Sequence, residues 1–445
     1  MNTPICDFVN SYIKGDPLRL HMPGHKGAPL LGMEKYDITE IPGADSLYEA
    51  EGIIAESESN AGSLFGCNTL YSTEGSSQCI KAMLHLAAGH ARAKGQRPLI
   101  LAGRNAHKAF LSGAALLGLE VMWLYPEEGD SYLSCSITGE GLERVLSAVE
   151  QKPAALYITS PDYLGNTADI AALSKVCKRH GMLLLVDNAH GAYLRFLPES
   201  RFPIDLGADM CCSSAHKTLP VLTGGAYLHI ADSIPANITL QAKNSLSLFG
   251  STSPSYLILQ SLDRANLYLE GYGEKLGCFI PRVSELKGRL AESCLEPYGD
   301  EPLKITIKTK PMGYLGTEIA EMLYERGIVC EFADPDYIVF MLCPETGEEG
   351  LDKLEKALLS IRHRRIFLPP PPSFARGERA MSLREAALAP MELIPVGESA
   401  GRILGAASVG CPPAVPILVC GERIDEHAVK CFEYYGIQRL GVVKE

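Results

Sequence analysis

The sequence predicts an α/β protein with a mostly parallel central sheet, followed by a smaller C-terminal α+β domain. Between residues 68 and 230, short apolar runs rich in β-forming residues alternate with amphipathic stretches. This alternation is typical of parallel strands joined by helices. A length of 445 residues is long for a single hydrophobic core, so more than one domain is expected.

Seven strands are predicted in the first region, at residues 68–71, 99–102, 120–124, 154–159, 182–186, 210–213 and 225–230. Amphipathic helices are predicted between the strands. One of these helices has a single apolar face, which is formed by Ile80, Met83, Leu84 and Ala87. Sheets of this kind bind ligands at the carboxyl ends of their strands. Chemically active residues are therefore expected in the strand-to-helix turns.

The chain is predicted to contain three segments. Residues 1–40 have Pro and Gly at turn spacing and are interpreted as an N-terminal arm. Residues 41–285 are predicted to form the large α/β domain, and residues 286–445 the small α+β domain. Residues 256–290 are predicted to be helical with a break at Pro281, because proline lacks a backbone N–H. The small domain is predicted to contain two strands and a helix, at 304–308, 337–342 and 350–362.

Composition excludes several classes of protein. The net charge of −12 argues against a nucleic-acid partner. No apolar run approaches the roughly 18 residues that span a bilayer, and the N-terminus lacks a secretory pattern. Fourteen cysteines without any CxxC pair indicate reduced thiols rather than a disulfide framework or a zinc site. We therefore predict a cytoplasmic protein that binds no metal.

The segment 71–78, Tyr-Ser-Thr-Glu-Gly-Ser-Ser-Gln, lies between a predicted strand and a predicted helix. Gly75 permits a tight turn, while Ser76 and Ser77 offer hydroxyls and helix-start N–H groups to a phosphate. An ordinary serine N-cap would produce the same pattern.

Two further segments end strands with charged residues. Asp187 is placed to pair with a protonated pyridine nitrogen, although a helix cap or a metal ligand would also explain it. Lys217 follows the next strand, beside His216 and Ser214. A lysine that forms a Schiff base must be partly desolvated or near other cations. Ser214 and His216 are candidates for binding a cofactor phosphate, and Gly224-Gly225 allows backbone to pass close to a ligand.

A fourth segment, residues 103–108, contains His107, which is a candidate for stacking on a flat aromatic cofactor or for a plain core position. The order of the four segments along the chain is phosphate cup, stacking group, carboxylate and lysine. This order favours a pyridoxal-phosphate (PLP) site.

These residues resemble the Orn/Lys/Arg decarboxylase family, a branch of the PLP enzymes of fold type I (aspartate-aminotransferase-like). The matching stretches are LRLHMPGHKG (18–27), DITEIPGADSLYEAEG (37–52), STEGSSQ (72–78), RNAHKAF (104–110), VDNAHGA (186–192), SSAHKT (213–218), STSPSY (251–256) and CPPAVPILVCGERI (411–424). The family pattern starts within twenty residues of Met1, so the N-terminal wing domain of the larger members is not expected here. The chain departs from the family in having Leu222-Thr-Gly-Gly-Ala226 after the lysine, and Cys420 where Pro is common.

The resemblance implies PLP as cofactor, with Lys217 as the Schiff-base lysine, Asp187 as the pyridine-nitrogen partner and His107 as the stacking residue. It implies phosphate contacts from the Gly75 turn and from Ser76, Ser77, Ser214 and His216, and it places His190 near the cofactor. It also implies that Ser251 and Thr252 complete the site of a neighbouring subunit. A homodimer or higher homo-oligomer is therefore expected.

The expected reaction is decarboxylation of a basic L-amino acid (arginine, lysine or ornithine) to a polyamine or its precursor. Lys217 or His216 is expected to return a proton to the substrate Cα. Glu398 and Glu422 are candidates for binding the distal cation, or else surface charges. The alternatives are an aminotransferase, with Arg402 for the substrate carboxylate, another PLP lyase, or a non-catalytic PLP-binding homologue.

Overall fold

The structure, a computed structural model, describes the whole chain except residues 127–131, 375, 407, 412–414 and 445. Its contacts divide the chain into two compact units. The first unit comprises Met1–Arg97 with Cys177–Lys275, and the second comprises Pro98–Val176 with Leu276–Glu445. The domain boundaries predicted at residues 40 and 285 stay predictions.

The helices are numbered along the chain. They are α1 (Pro4–Lys14), α2 (Ile53–Phe65), α3 (Ser76–Ala93), α4 (Lys108–Leu117), α5 (Gly139–Ala148), α6 (Ile170–His180), α7 (Ala215–Thr218), α8 (Ala236–Leu240), α9 (Ala242–Ser247), α10 (Tyr256–Leu269), α11 (Tyr272–Glu292), α12 (Gly316–Tyr324), α13 (Gly347–Leu359), α14 (Leu383–Leu388) and α15 (Glu426–Tyr434). Short 3₁₀ turns occur at Leu47–Glu49, Leu194–Phe196, Lys310–Met312, Pro344–Thr346 and Val396–Glu398.

The strands are β1 (Asn68–Ser72), β2 (Leu99–Gly103), β3 (Glu120–Leu124), β4 (Ala155–Thr159), β5 (Leu183–Asp187), β6 (Met210–Ser213), β7 (Ala226–Ile230), β8 (Pro297–Tyr298), β9 (Lys304–Lys308), β10 (Phe332–Ala333), β11 (Tyr337–Met341), β12 (Glu378–Arg379), β13 (Met391–Pro395), β14 (Ser408–Cys411), β15 (Val415–Val419), β16 (Glu422–Arg423) and β17 (Arg439–Val443). All seven strands predicted between residues 68 and 230 are present within one residue of their predicted ends.

In the first unit the strand order is β1-β7-β6-β5. β5 and β6 are parallel, with Asp187 opposite Cys212, whereas β7 runs antiparallel to both of its neighbours. Helix α3 packs on these four strands and buries the predicted apolar face of Ile80, Met83, Leu84 and Ala87. The carboxyl ends of β5 and β6 therefore lie at the same edge of the sheet.

In the second unit β2 pairs in parallel with both β3 and β4. A separate antiparallel sheet has the order β10-β11-β9-β8. The hydrophobic core of the second unit includes Phe332, Val339, Ile417 and Phe432, which are all buried. The predicted fold class, a mostly parallel sheet followed by a smaller α+β region, is confirmed.

Two predicted helices differ from the observed ones. Helix α11 continues through Pro281, so the predicted break there is wrong. Proline costs the helix one hydrogen bond, but full burial of Val283 and Leu286 favours continuing it. Helix α13 begins three residues before the predicted 350, which places Glu348 and Glu349 in its positively polarised first turn.

The predicted N-terminal arm is not uniform. Helix α1 packs against α2 and α10, with Ile5 and Val9 fully buried. Beyond this helix, Leu18, Leu20 and Leu31 are each more than 80% exposed. The assignment of residues 1–40 as an arm stays a prediction.

Across the part of the chain that the structure describes, no helix has both the length and the apolar character required to cross a bilayer.

Candidate active site

The turn between β1 and α3 forms an open cup, which we call the serine cup and define as Gly75–Ser77. Gly75 has φ of +71°, a conformation that favours glycine. A Cβ at this position would meet only the Ser77 nitrogen, at 4.0 Å, so the space in front of the turn is open. Ser76 and Ser77 begin α3 and are partly exposed. Their hydroxyls and helix-start N–H groups are therefore accessible to an anion.

Further hydroxyls surround this cup. Ser214, which precedes α7, donates a hydrogen bond from Oγ to Ser76 Oγ at 2.8 Å. Thr73 Oγ1 is buried and has no hydrogen-bond partner among the described residues. A buried hydroxyl without a partner is rare in folded proteins and is readily explained by a missing ligand. The hydroxyls and the N-terminus of α3 together suit a phosphate group.

The glycine pair Gly224-Gly225 approaches the serine cup. The Gly75 N–H donates to the Gly224 carbonyl at 2.8 Å. Gly224 has φ of +100°, and a Cβ there would lie 2.9 Å from the Thr73 carbonyl oxygen. A side chain at residue 224 would therefore push the 222–226 loop away from the cup.

Lys217 lies on the short helix α7 and meets a histidine from the loop after β5. Its Nζ is 2.9 Å from Nε2 of His190, which is 4% exposed. The two nitrogens lie within hydrogen-bonding distance, so His190 Nε2 can accept a hydrogen from the lysine amine. A base beside the amine could take up its proton, and the deprotonated amine of a lysine is the form that adds to an aldehyde.

His216 precedes Lys217 and is oriented by the glycine loop. Its Nδ1 lies 3.0 Å from the Gly225 carbonyl oxygen, which also accepts from the His216 backbone N–H at 3.2 Å. A carbonyl oxygen only accepts, so Nδ1 carries a hydrogen. Nε2 is then the ring nitrogen that can take up or release a proton.

Asp187 ends β5 and is 2% exposed. Its Oδ1 accepts from the Ala189 N–H at 3.2 Å and from the Cys212 thiol at 3.5 Å. Burial, reinforced by the neighbouring Asp187 carboxylate, raises the pKa of Cys212 well above its usual value, so the thiol remains protonated and donates. Because β5 and β6 are parallel neighbours, Asp187 lies at the sheet edge from which the Lys217 turn begins.

Ser251 and Thr252 are exposed, in the loop between α9 and α10. Ser251 Oγ accepts from the Ser253 N–H at 3.1 Å. Their predicted contribution to a neighbouring subunit stays a prediction.

His107 lies in the second unit as the N-cap of α4. Its Nδ1 accepts a hydrogen bond from the Ala109 N–H at 3.2 Å. The neutral ring therefore carries its hydrogen on Nε2. Its predicted stacking role stays a prediction.

Sequence reasoning missed a buried ion pair in the second unit. Arg104, from the RNAHKAF stretch, is fully buried, and Nη2 lies 3.0 Å from Glu422 Oε2. The guanidinium also donates to the carbonyls of Pro416 and Ile417 and lies 5.3 Å from the Trp123 ring. The available signal was a charged residue directly after an apolar strand. Residues 412–414 of the C-terminal motif lie outside the described residues.

The structure also shows the surroundings of the three charged residues that were candidates for binding the substrate, Glu422, Glu398 and Arg402. Glu422 is buried and paired with Arg104, so its interpretation as a surface charge is wrong. Glu398 is exposed. Arg402 contacts Glu392 Oε1 at 2.5 Å and donates to the Val443 carbonyl at 3.0 Å. The arginine considered for an aminotransferase is therefore held by its own unit.

Within the first unit, the residues present fit the cofactor predicted from the sequence. The open serine cup and the partnerless Thr73 hydroxyl suit a phosphate. The Lys217 amine suits an aldehyde carbon. The Asp187 carboxylate suits a protonated ring nitrogen.

Known proteins are similar to this chain over nearly its whole length. The uncharacterised protein YaaO of Bacillus subtilis (strain 168) is 29% identical over 97% of this chain and 93% of its own length. The arginine decarboxylase of Halalkalibacterium halodurans is 29% identical over 95% of this chain and 91% of its own.

Among solved structures, the constitutive lysine decarboxylase of E. coli matches with a TM-score of 0.78 at 18% identity, covering 100% of this chain and 82% of that one. This likeness confirms the predicted fold class, that of fold type I PLP enzymes. The family pattern described as "Orn/Lys/Arg decarboxylase, major domain" matches residues 3–278. The chain therefore belongs to the Orn/Lys/Arg decarboxylase family, as its motifs predicted, and to the decarboxylase class of enzymes.

Proposed function

We propose that this protein decarboxylates a basic L-amino acid with PLP as cofactor. The observation that carries the proposal is the 2.9 Å contact between Lys217 Nζ and His190 Nε2. It lies at the sheet edge that also carries Asp187, in the same unit as the serine cup. Family membership supports the same reaction.

Bound PLP would act as the electron sink for the bond to the departing carboxylate. Asp187 would keep the ring nitrogen protonated, because a buried carboxylate favours a positive charge beside it. The serine cup, with Ser214 and His216, would bind the phosphate and fix the ring in position. His107 is proposed to stack on the ring.

Proton movement would fall to the basic side chains. His190 Nε2, which lies 2.9 Å from Lys217 Nζ, would take a proton from it, so that the amine could react through its lone pair. Lys217 or His216 would then return a proton to the substrate Cα. For His216 the donor is Nε2, since Nδ1 is held by the Gly225 carbonyl.

Arginine, lysine and ornithine all remain candidate substrates. Several relatives are named for arginine and another for lysine, and several structural neighbours are named for lysine. Glu422 is engaged by Arg104 and Glu398 is exposed, so neither contact pattern selects a distal-cation site. The product would be a polyamine or a polyamine precursor.

The direct test is a panel of these three amino acids with several neutral ones, in which amine products and CO₂ are both identified. We expect one basic amino acid to release CO₂ and its amine in equal amounts. Keto-acid formation without CO₂ would instead support an aminotransferase. Retention of PLP without turnover of any amino acid would indicate a non-catalytic homologue.

We also propose a cytoplasmic homodimer, or a larger homo-oligomer, in which Ser251 and Thr252 complete the neighbouring site. Mixing of two inactive variants, Lys217→Ala and a Ser251→Ala/Thr252→Ala double variant, tests this directly. In a hybrid dimer one site carries both defects and the other carries neither. Activity should therefore reappear on subunit exchange. Its absence, with hybrid formation verified by tagged pull-down, would contradict a shared site.

A further inference from the structure

Behind the serine cup lies a buried amide that the proposed reaction does not use. Gln78, on the first turn of α3, is 1% exposed. Its Oε1 accepts from Ser72 Oγ at 2.6 Å, and its Nε2 donates to the Tyr48 hydroxyl at 2.7 Å and to the Leu246 carbonyl at 2.8 Å. Both amide hydrogens are thus used, and the carbonyl of Leu246 fixes which end is Nε2.

One side of this network shapes the cup. Ser72 Oγ, besides its bond to Gln78, lies 3.0 Å from the Gly75 carbonyl oxygen and accepts from the Glu74 N–H at 3.1 Å. The Gln78 N–H also donates to the Gly75 carbonyl, at 3.2 Å. The direction of the Gly75 peptide, and so of the cup, therefore depends on where Gln78 holds Ser72.

The other side of the network meets the segment that precedes Ser251 and Thr252. A Cβ built on Gly250 would overlap the Tyr48 hydroxyl and Gln78 Nε2, so the backbone there packs directly on both groups. Leu246, whose carbonyl accepts from Gln78, lies on α9 just before this segment. One amide therefore supports both the cup and the loop that leads to residues 251 and 252.

We propose that Gln78 is a positioning residue, which holds the serine cup in the arrangement that binds the cofactor phosphate and fixes Gly250 at the start of the 250–252 segment. The proposal rests on the proposed function, because it requires a phosphate in the cup. Gln78 acts through Ser72, Gly75 and Tyr48. Its loss should therefore weaken recognition of the phosphate specifically, not of the rest of the cofactor.

The test compares PLP with pyridoxal, which has the same aldehyde and ring but no phosphate. Dissociation constants of both compounds for the full-length apoprotein are measured by absorbance titration, in wild type and in Gln78→Met. Methionine is similar in length but makes none of the three hydrogen bonds. We expect PLP affinity to fall about 10- to 100-fold and pyridoxal affinity to change less than about threefold.

Gln260→Met is the matched control. Gln260 also donates twice through Nε2, to the carbonyls of Tyr36 at 2.9 Å and Tyr256 at 2.8 Å, but it does not contact the cup. We expect it to leave the ratio of the two affinities unchanged. Tyr48→Phe, which removes one acceptor from Gln78, should weaken PLP binding selectively by about 3- to 10-fold and provides the test if Gln78→Met does not fold.

The outcomes separate the two proposals. Suppose that wild type binds PLP more tightly than pyridoxal. If Gln78→Met then lowers the affinity for both compounds equally, or for neither, the positioning role is overturned while the cofactor site stands. If wild type shows no preference for PLP over pyridoxal, the phosphate cup itself is wrong, and both proposals fail together.

Discussion

Lys217 in the first unit and Arg104 in the second are both basic residues placed just after an apolar strand, yet their surroundings differ in kind. Lys217 contacts a second base, His190, at 2.9 Å. Arg104 contacts an acid, Glu422, at 3.0 Å and two backbone carbonyls. In the first arrangement a proton can pass between two bases. In the second, each charge is neutralised by a partner of opposite sign.

This difference indicates how function can be recognised from contacts. A buried ion pair is costly to break but has no reactive lone pair. A lysine beside a histidine contributes less to stability, and its amine proton lies within reach of an acceptor whose uptake would expose a reactive lone pair. We therefore expect changes at Lys217 to affect catalysis and changes at Arg104 to affect folding.

The largest expected effect is on turnover, in Lys217→Ala. Loss of the amine should lower kcat by more than about 10³-fold, because both cofactor attachment and proton transfer are lost. The free energy of unfolding should change by less than about 1 kcal/mol. Steady-state kinetics and urea unfolding measure the two quantities. Turnover at the wild-type rate would refute the assignment of Lys217.

The opposite result is expected at Arg104. Arg104→Met leaves the Glu422 carboxylate buried without its cation, so the second unit should lose about 3–5 kcal/mol of stability. Trp123 is the only tryptophan of the chain and lies 5.3 Å from the guanidinium. Its fluorescence during urea unfolding therefore reports on this region.

Two variants control for this measurement. Arg104→Met combined with Glu422→Leu should recover part of the loss, since no unpaired charge remains. Arg402→Met, which breaks the partly exposed pair with Glu392, should cost no more than about 1 kcal/mol. If Arg104→Met and Arg402→Met lowered the free energy of unfolding equally, the buried pair would not have the structural role assigned to it.

A smaller effect is expected in His190→Gln. Glutamine retains a polar group but cannot take up a proton, so kcat should fall about 100-fold with a lesser change in KM. His85→Gln is the control, because His85 contacts Ser245 Oγ at 2.9 Å, outside the site. If both variants retain wild-type kcat, His190 does not assist Lys217.

The last comparison is with a second buried histidine, His229, whose charge state should affect stability and not catalysis. His229 is fully buried, with Nδ1 3.0 Å from Thr69 Oγ1 and its ring 4.6 Å from Phe65. Burial lowers the pKa of His229 from 6.5 to about 3. Between these values the unfolded chain binds a proton that the folded chain does not, so stability falls as the pH is lowered.

The expected slope from His229 is about 1.4 kcal/mol per pH unit between pH 6.5 and 3. His229→Gln should remove this contribution, whereas a change at the exposed His363 should not. Urea midpoints measured from pH 7 to pH 4 provide the test. An unchanged acid dependence in His229→Gln would show that the buried ring is not the group responsible.

Local patterns were sufficient to predict much of this protein. The seven strands and the buried face of α3 follow from apolar periodicity, which depends only on neighbouring residues. Gly75, Asp187 and Lys217 could be singled out because reactive groups of parallel sheets collect at strand ends. The family followed from motifs spread over nearly the whole chain.

Contacts between distant residues were decided only by the tertiary structure. His190 and Lys217 are 27 positions apart, and Arg104 and Glu422 are 318 apart. No local sequence pattern therefore predicts that either pair is in contact. The same holds for the helix that continues through Pro281, where burial outweighs a missing hydrogen bond. Strand order and packing determine which side chains meet, and these depend on the whole chain. Local sequence therefore specifies the elements and the reactive residue types, whereas the partners of those residues depend on the fold.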